Sequence, residues 1–146
     1  MKDTLLALIF FCIGFSAYAQ QPITVGELLS KGATKLTKED IASIYAGGVT
    51  ISGISPGGSR KIYVTYLKDG TLSGRSTDLD DLRGYGLMGT WSINNEAQLC
   101  TQVRNTYGRD VTPNPPCSFR FKLGDMLYSA QSEEPDTPAR PLTIRK

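Results

Sequence analysis

The period of the chain changes at Val49. Before that residue, apolar side chains recur at helical spacing. After it they alternate with polar ones, and glycine, proline, asparagine or aspartate breaks the alternation at short intervals. A period of two sends successive side chains to opposite faces of a strand. Strands joined by tight turns pair antiparallel, because a parallel pair needs a crossover of a dozen or more residues. Most of the chain is thereby committed to an antiparallel meander, with a helical lead-in that must cover part of it.

The runs can be placed one by one. Val49-Thr50-Ile51-Ser52 is a short alternating strand that ends at Gly53 and Pro56-Gly57-Gly58. Lys61 to Leu67 is the strongest strand signal, rich in β-branched and aromatic residues. Lys68-Asp69-Gly70 reads as a type I′ turn, with Thr71 to Ser76 returning as the partner. Leu87 to Ile93 and Ala97 to Arg104 flank a turn at Asn94-Asn95. Cys117 to Leu123 and Met126 to Gln131 make a last hairpin around Gly124-Asp125. The fold expected is α+β and mainly β: one or two short N-terminal helices, then six or seven antiparallel strands in a curved sheet or partial barrel.

The lead-in carries two capped helices. Thr24 can cap a turn or two from Val25 to Leu29, stopping near Gly32. Thr37-Lys38-Glu39-Asp40 resembles a capping box with Asp40 in the place of Glu. Ile41, Ile44 and Tyr45 follow at i, i+3 and i+4, and Gly47-Gly48 ends the helix.

Ahead of these, Met1-Lys2, an apolar run from Leu5 to Phe15 and Ala17-Tyr18-Ala19 together read as a signal peptide cut after Ala19. The run is about eleven residues, short of the roughly 20 that span a bilayer, and no later run matches it. No integral membrane segment is therefore expected after cleavage, and the destination is the periplasm or the medium. The expected division is 1–19 signal peptide, 20–131 one globular domain and 132–146 a flexible tail. The tail reading rests on Glu133-Glu134-Pro135-Asp136, Pro138 and Pro141, with almost nothing apolar to bury.

Cys12 leaves with the signal peptide, which strands Cys100 and Cys117 in an oxidising compartment. A disulfide between them is expected; the alternatives are two free thiols or a two-cysteine metal site. The chain has no histidine, so a zinc site would have to recruit carboxylates. Facing directions conflict, however. If Phe119, Phe121 and Leu123 look into the core, so does Cys117. Leu99, Thr101 and Val103 looking inward turns Cys100 outward. A bulge near Cys100, or a Cys117 outside its strand, is then needed. On the same reading Ser118, Arg120 and Lys122, with Arg104, form either a basic stripe that attracts anions or, the commoner case, ordinary solvated charges on the outer sheet face.

Motifs of reaction chemistry are weak. Gly53-Ile54-Ser55-Pro56-Gly57 spells G-x-S-x-G, yet Pro56 has no N–H for an oxyanion hole and no histidine can serve as base. Gly84-Tyr85-Gly86-Leu87-Met88-Gly89 spells G-x-G-x-x-G, but strand residues follow where a dinucleotide site needs a helix. Tight turning before a strand is the expected use of these glycines. Asp78-x-Asp80-Asp81 lacks the glycine and distant glutamate of a calcium loop and reads as a solvated turn. The net charge of +2 is interspersed, which excludes a nucleic-acid footprint. No cofactor and no metal are expected. Gly89-Thr90-Trp91 matches the G-x-W of lipocalins, but deep in the domain rather than in its first strand, which suggests the architecture and not the family.

One broader resemblance runs from about Thr24 to Gln131. It is carried by the Thr37-Lys38-Glu39-Asp40-Ile41 cap, Gly47-Gly48, Lys68-Asp69-Gly70, Gly84 and Gly89-Thr90-Trp91-Ser92-Ile93. Asn94-Asn95, Leu99-Cys100, Cys117 and Lys122-Leu123-Gly124-Asp125 complete it. That order resembles the exported bacterial family named domain of unknown function 995. The resemblance implies a signal peptide, a small helix-and-sheet domain and paired cysteines, and it implies no activity. Glu96-Ala97-Gln98 departs from the Asp-Gly turn expected there.

The function expected from these features is a small exported, non-enzymatic domain that binds a small ligand or an envelope protein. Tyr63, Tyr66, Trp91 and Phe121 are the expected ligand face. The alternative is an inhibitor or accessory subunit of an envelope or host enzyme, acting through the loops Ser52 to Ser59 or Asn105 to Pro116. An enzyme built on Asp, Glu, Tyr or Lys alone comes last.

Overall fold

Both expected helix starts form as capping boxes. The computed structural model describes residues 22–55 and 57–145, so the expected signal peptide lies outside the described residues. Thr24 and Glu27 cap each other at the head of α1 (Val25–Ser30), and Thr37 and Asp40 do so at α2 (Lys38–Tyr45). Two hydrogen bonds from Thr37, one from its backbone and one from its hydroxyl, hold the Asp40 carboxyl below its ordinary pKa. Between the helices lies β1 (Thr34–Lys35).

Eight further strands follow: β2 (Val49–Ile54), β3 (Arg60–Tyr66), β4 (Thr71–Asp78), β5 (Gly84–Ile93), β6 (Leu99–Asn105), β7 (Cys117–Leu123), β8 (Met126–Ala130) and β9 (Ala139–Arg145). Each pairs antiparallel with the next, and β9 returns to pair with β2, which closes an eight-stranded up-and-down barrel. Closure leaves no barrel edge to cover. β1 is an extra strand on the part of β7 that extends past β6.

The closing strand comes from the segment expected to be a flexible tail, and that expectation is corrected. Alternation within Ala139–Arg145 buries Leu142 and Ile144 partly against the interior cluster. Pro141 takes a position where its missing N–H is tolerated, and its neighbours Arg140 and Leu142 still pair with β8. The proline-rich stretch before it also has partners: the Thr137 and Pro135 carbonyls accept from the Val25 and Gly26 N–H groups, 2.9 Å each. These are two of the orphan donors at the start of α1. Polar composition hid a segment whose backbone, rather than its side chains, does the bonding.

Two apolar clusters result. Inside the barrel sit Ile51, Val64, Leu72, Leu87, Leu99, Val103 and Leu127, continuous with Leu36, Ile41 and Tyr45 from the α2 region. Outside it, Val25, Leu28 and Ala33 cover Phe119, Phe121, Ala130 and Ala139. Phe119 and Phe121 therefore face away from the interior and under α1. That reverses the expected orientation of β7 and removes the conflict between the cysteines. Cys100 and Cys117 are directly opposed across β6 and β7, on the same outward side, and they form a disulfide with no bulge.

Two hairpins also differ from expectation. Gly70, at φ 82°, closes a three-residue loop in which Gly70 N–H donates to the Leu67 carbonyl and Leu67 N–H to the Thr71 carbonyl. That is a type I turn with a glycine bulge, not type I′. The Asn94–Gln98 loop repeats this pattern with Ala97 at φ 59° in the glycine position.

Candidate functional site

One end of the barrel is filled by aromatic rings. Tyr45, from the last turn of α2, packs edge-on against Tyr66 with ring centroids 4.9 Å apart and lies 5.6 Å from Trp91. The Trp91 indole N–H donates to the Leu67 carbonyl at 2.9 Å, so the ring is fixed at both its apolar body and its polar tip. Burial pushes the Tyr66 hydroxyl up to about 12. This is the end at which α2 enters β2 and where the β3–β4, β5–β6 and β7–β8 hairpins turn.

Toward the other end the interior is not filled. A cavity of about 230 Å³ remains, lined by apolar side chains that include Ile62, Val64, Leu72, Leu87 and Val103. The β6–β7 loop contributes Pro113, Pro115 and Pro116 to its wall, and Gln131 stands at the β8–β9 connection. In liquid-water terms the space equals about eight molecules. An eight-stranded barrel is close to the size at which side chains either fill the interior or leave room for one small ligand. Here they leave room.

The charged groups of the wall, Arg120 and Arg140, lie on one side. Arg120 on β7 is opposite Ser129 on β8, which is opposite Arg140 on β9, so the three form one row across the barrel wall. Arg120 is only 5% exposed. Its Nε donates to the Tyr45 hydroxyl at 3.2 Å, and its Nη1 donates to the Ser118 hydroxyl at 2.7 Å and the Ser129 hydroxyl at 2.9 Å. A guanidinium stays charged wherever it is placed. Across the barrel, Ser76 is also buried, but its hydroxyl accepts from Arg60 Nε at 2.7 Å, and Arg60 pairs with Asp78 at 3.3 Å.

Of the expected ligand face, only Tyr66 lines the cavity. Trp91 lies below it in the aromatic end. Tyr63 stands on the outer surface, its ring 5.3 Å from Lys61 Nζ and 5.0 Å from the Arg145 guanidinium. The Lys61 ammonium beside it lowers its hydroxyl from the ordinary tyrosine value. Phe121 is enclosed in the outer cluster beneath α1. Sequence reasoning named Arg120 but placed it on the solvated face, and it missed Ser129 and Arg140. The signal was there for Arg120: bonded cysteines on neighbouring strands must share a face, and Cys100 had to be outward. Cys117 then fixes Phe119 and Phe121 outward and Arg120 inward.

The tempting motifs have structural uses. Ser55 accepts from Arg60 N–H at 3.2 Å through its hydroxyl and so braces the β2–β3 loop. Gly84, Gly86 and Gly89 lie within β5 rather than ahead of it. A Cβ on Gly86 would meet the Thr106 methyl at 2.6 Å, and one on Gly89 would run into the Gln102 carbonyl. They allow close approach of neighbouring strands. In the aspartate cluster, Asp78 and Asp81 accept from the Asp80 and Arg83 N–H groups within their own turn.

Among the described residues no helix is long and apolar enough to cross a membrane. Comparison with known protein families, with curated proteins and with solved structures finds no match for this chain.

Proposed function

We propose that this chain is an exported, non-enzymatic binding domain that holds one small, largely apolar ligand inside its barrel. The observation that carries the reading is the cavity of about 230 Å³ inside a barrel whose opposite end is filled by Tyr45, Tyr66 and Trp91. A concave, mainly apolar space with a few convergent polar groups is the usual form of a small-molecule site. The Cys100–Cys117 disulfide supports the exported location, because such bonds persist in oxidising compartments. Kinship with domain of unknown function 995 is part of the same proposal and adds no activity to it.

Native mass spectrometry tests the reading on protein purified from the medium or envelope of the cells that make it. The expected result is a mass excess of one small molecule per chain that disappears on denaturation. A bare chain that also fails to take up small apolar probes contradicts it. The inhibitor reading has one observation in its favour: Tyr107, on the β6–β7 loop, is 75% exposed. It requires that affinity capture with the folded domain recover a single enzyme at one-to-one stoichiometry, and that Tyr107→Ala abolish the capture.

A further inference from the structure

The cavity is electrostatically one-sided. Its lining includes Arg120 and Arg140 and, among the described residues, no aspartate or glutamate. The ion pairs of the described residues are Lys35–Glu133, Arg60–Asp78 and Arg83–Asp81, and none includes either cavity arginine. Burying a positive charge without an opposite charge is costly, and neutral hydroxyls and carbonyls offset only part of that cost. The bonds of Arg120 come from Nε and Nη1 alone, and every acceptor is a hydroxyl or a backbone carbonyl. No enclosed side-chain nitrogen or oxygen among the described residues lacks a partner. Nη2 makes none of these bonds, and beside this guanidinium lie the Tyr66 hydroxyl and the cavity.

Resting on the binding reading above, we infer that the ligand is a small amphiphilic carboxylate whose headgroup meets the Arg120–Ser129–Arg140 row while its apolar body lies against Ile62, Val64, Leu87 and Val103. Nη2 can donate to a carboxylate oxygen in a charge-assisted hydrogen bond. Tyr45, Ser118 and Ser129 hold Arg120 from behind, so Nη2 is oriented before the ligand arrives. The headgroup needs only a single negative charge. The remaining wall is mostly aliphatic, so the second charge and third oxygen of a phosphate dianion would cost more to desolvate there than a carboxylate does. Arg140, exposed enough to reach solvent, lies in the same row and can meet the headgroup on its way in.

Isothermal titration at neutral pH with octanoate, 1-octanol and octyl phosphate tests the inference on the intact disulfide-bonded domain. Octanoate is expected to bind at least about tenfold more tightly than either of the others. Arg120→Met is expected to remove about tenfold or more of the octanoate affinity while leaving that of 1-octanol within about twofold. Should Arg120→Met not fold, Arg140→Gln and the comparison of the three probes on the unaltered protein still decide. Equal binding of octanoate and 1-octanol overturns the anionic headgroup and leaves interior binding standing. Tighter binding of octyl phosphate overturns the carboxylate. Binding of none of the three overturns both this inference and the reading it rests on.

Discussion

The seam between β6 and β7 is the weakest in the barrel wall, and the disulfide is placed across it. Only Leu99↔Ser118 and Cys100↔Cys117 join these strands, whereas β5 and β6 share the whole register from Leu87↔Asn105 to Ile93↔Leu99. One further backbone bond, Thr101 N–H to the Pro116 carbonyl at 3.0 Å, lies at the same point. Replacing both cysteines by alanine removes a link between positions 17 residues apart. In the chain-entropy description that link stabilises the fold by about 3 kcal/mol. With an unfolding entropy of about 2.1 cal/mol/K per residue over roughly 124 ordered residues, the midpoint should fall by about 12 °C. Differential scanning calorimetry of the double-alanine variant against the unaltered protein measures this, with the unaltered protein repeated in a strong reductant as a control. Both should show the same drop. A shift under about 3 °C, or native cysteines that alkylate without reductant, would refute the seam as described.

Three further perturbations follow from particular residues. Ala97 holds φ 59° in the loop position that glycine takes at Gly70; Ala97→Gly should raise stability by about 1 kcal/mol, and a lower urea midpoint would count against the turn assignment. Gly89→Ala should cost about 3 kcal/mol or prevent folding, because the new methyl meets the Gln102 backbone across β5 and β6; an unchanged melting curve would mean the strands are farther apart. Tyr66 is raised by burial from 10.0 to about 12. Its unfolded form ionises first, so Tyr66 leaves stability unchanged below pH 10 and lowers it by about 1.4 kcal/mol per unit between pH 10 and about 12. Tyr66→Phe should remove that slope, and equal slopes in the two proteins would show the hydroxyl to be solvated.

The elements with strong local chemistry were legible in the sequence. Thr24, Thr37 and Asp40 are short-range caps, and strands β2 to β8 carry enough alternation and turn residues to be placed without tertiary context. What failed depended on contacts far apart in the chain. The closing strand β9 looks like a tail because its prolines and charges are read singly, while its order comes from backbone bonds to β2, β8 and the start of α1. The orientation of β7 was misread because both of its faces are buried: Phe119 and Phe121 under α1, Arg120 inside the barrel. Periodicity finds two faces and does not say which is inner. Charge then argued the wrong way, since an arginine inside a barrel is rare unless something there needs it. The cavity residues Ser129 and Arg140 could not be found without the closure that places them in one row.

Methyl chemical shifts under titration with octanoate test binding inside the barrel most directly, since the two apolar clusters report separately. Interior binding predicts saturable shifts at Ile62, Val64, Leu72, Leu87 and Val103, with Val25 and Leu28 under the outer cover of β7 and β8 unmoved. Shifts confined to Val25 and Leu28, or no saturable shift in either cluster, would contradict it.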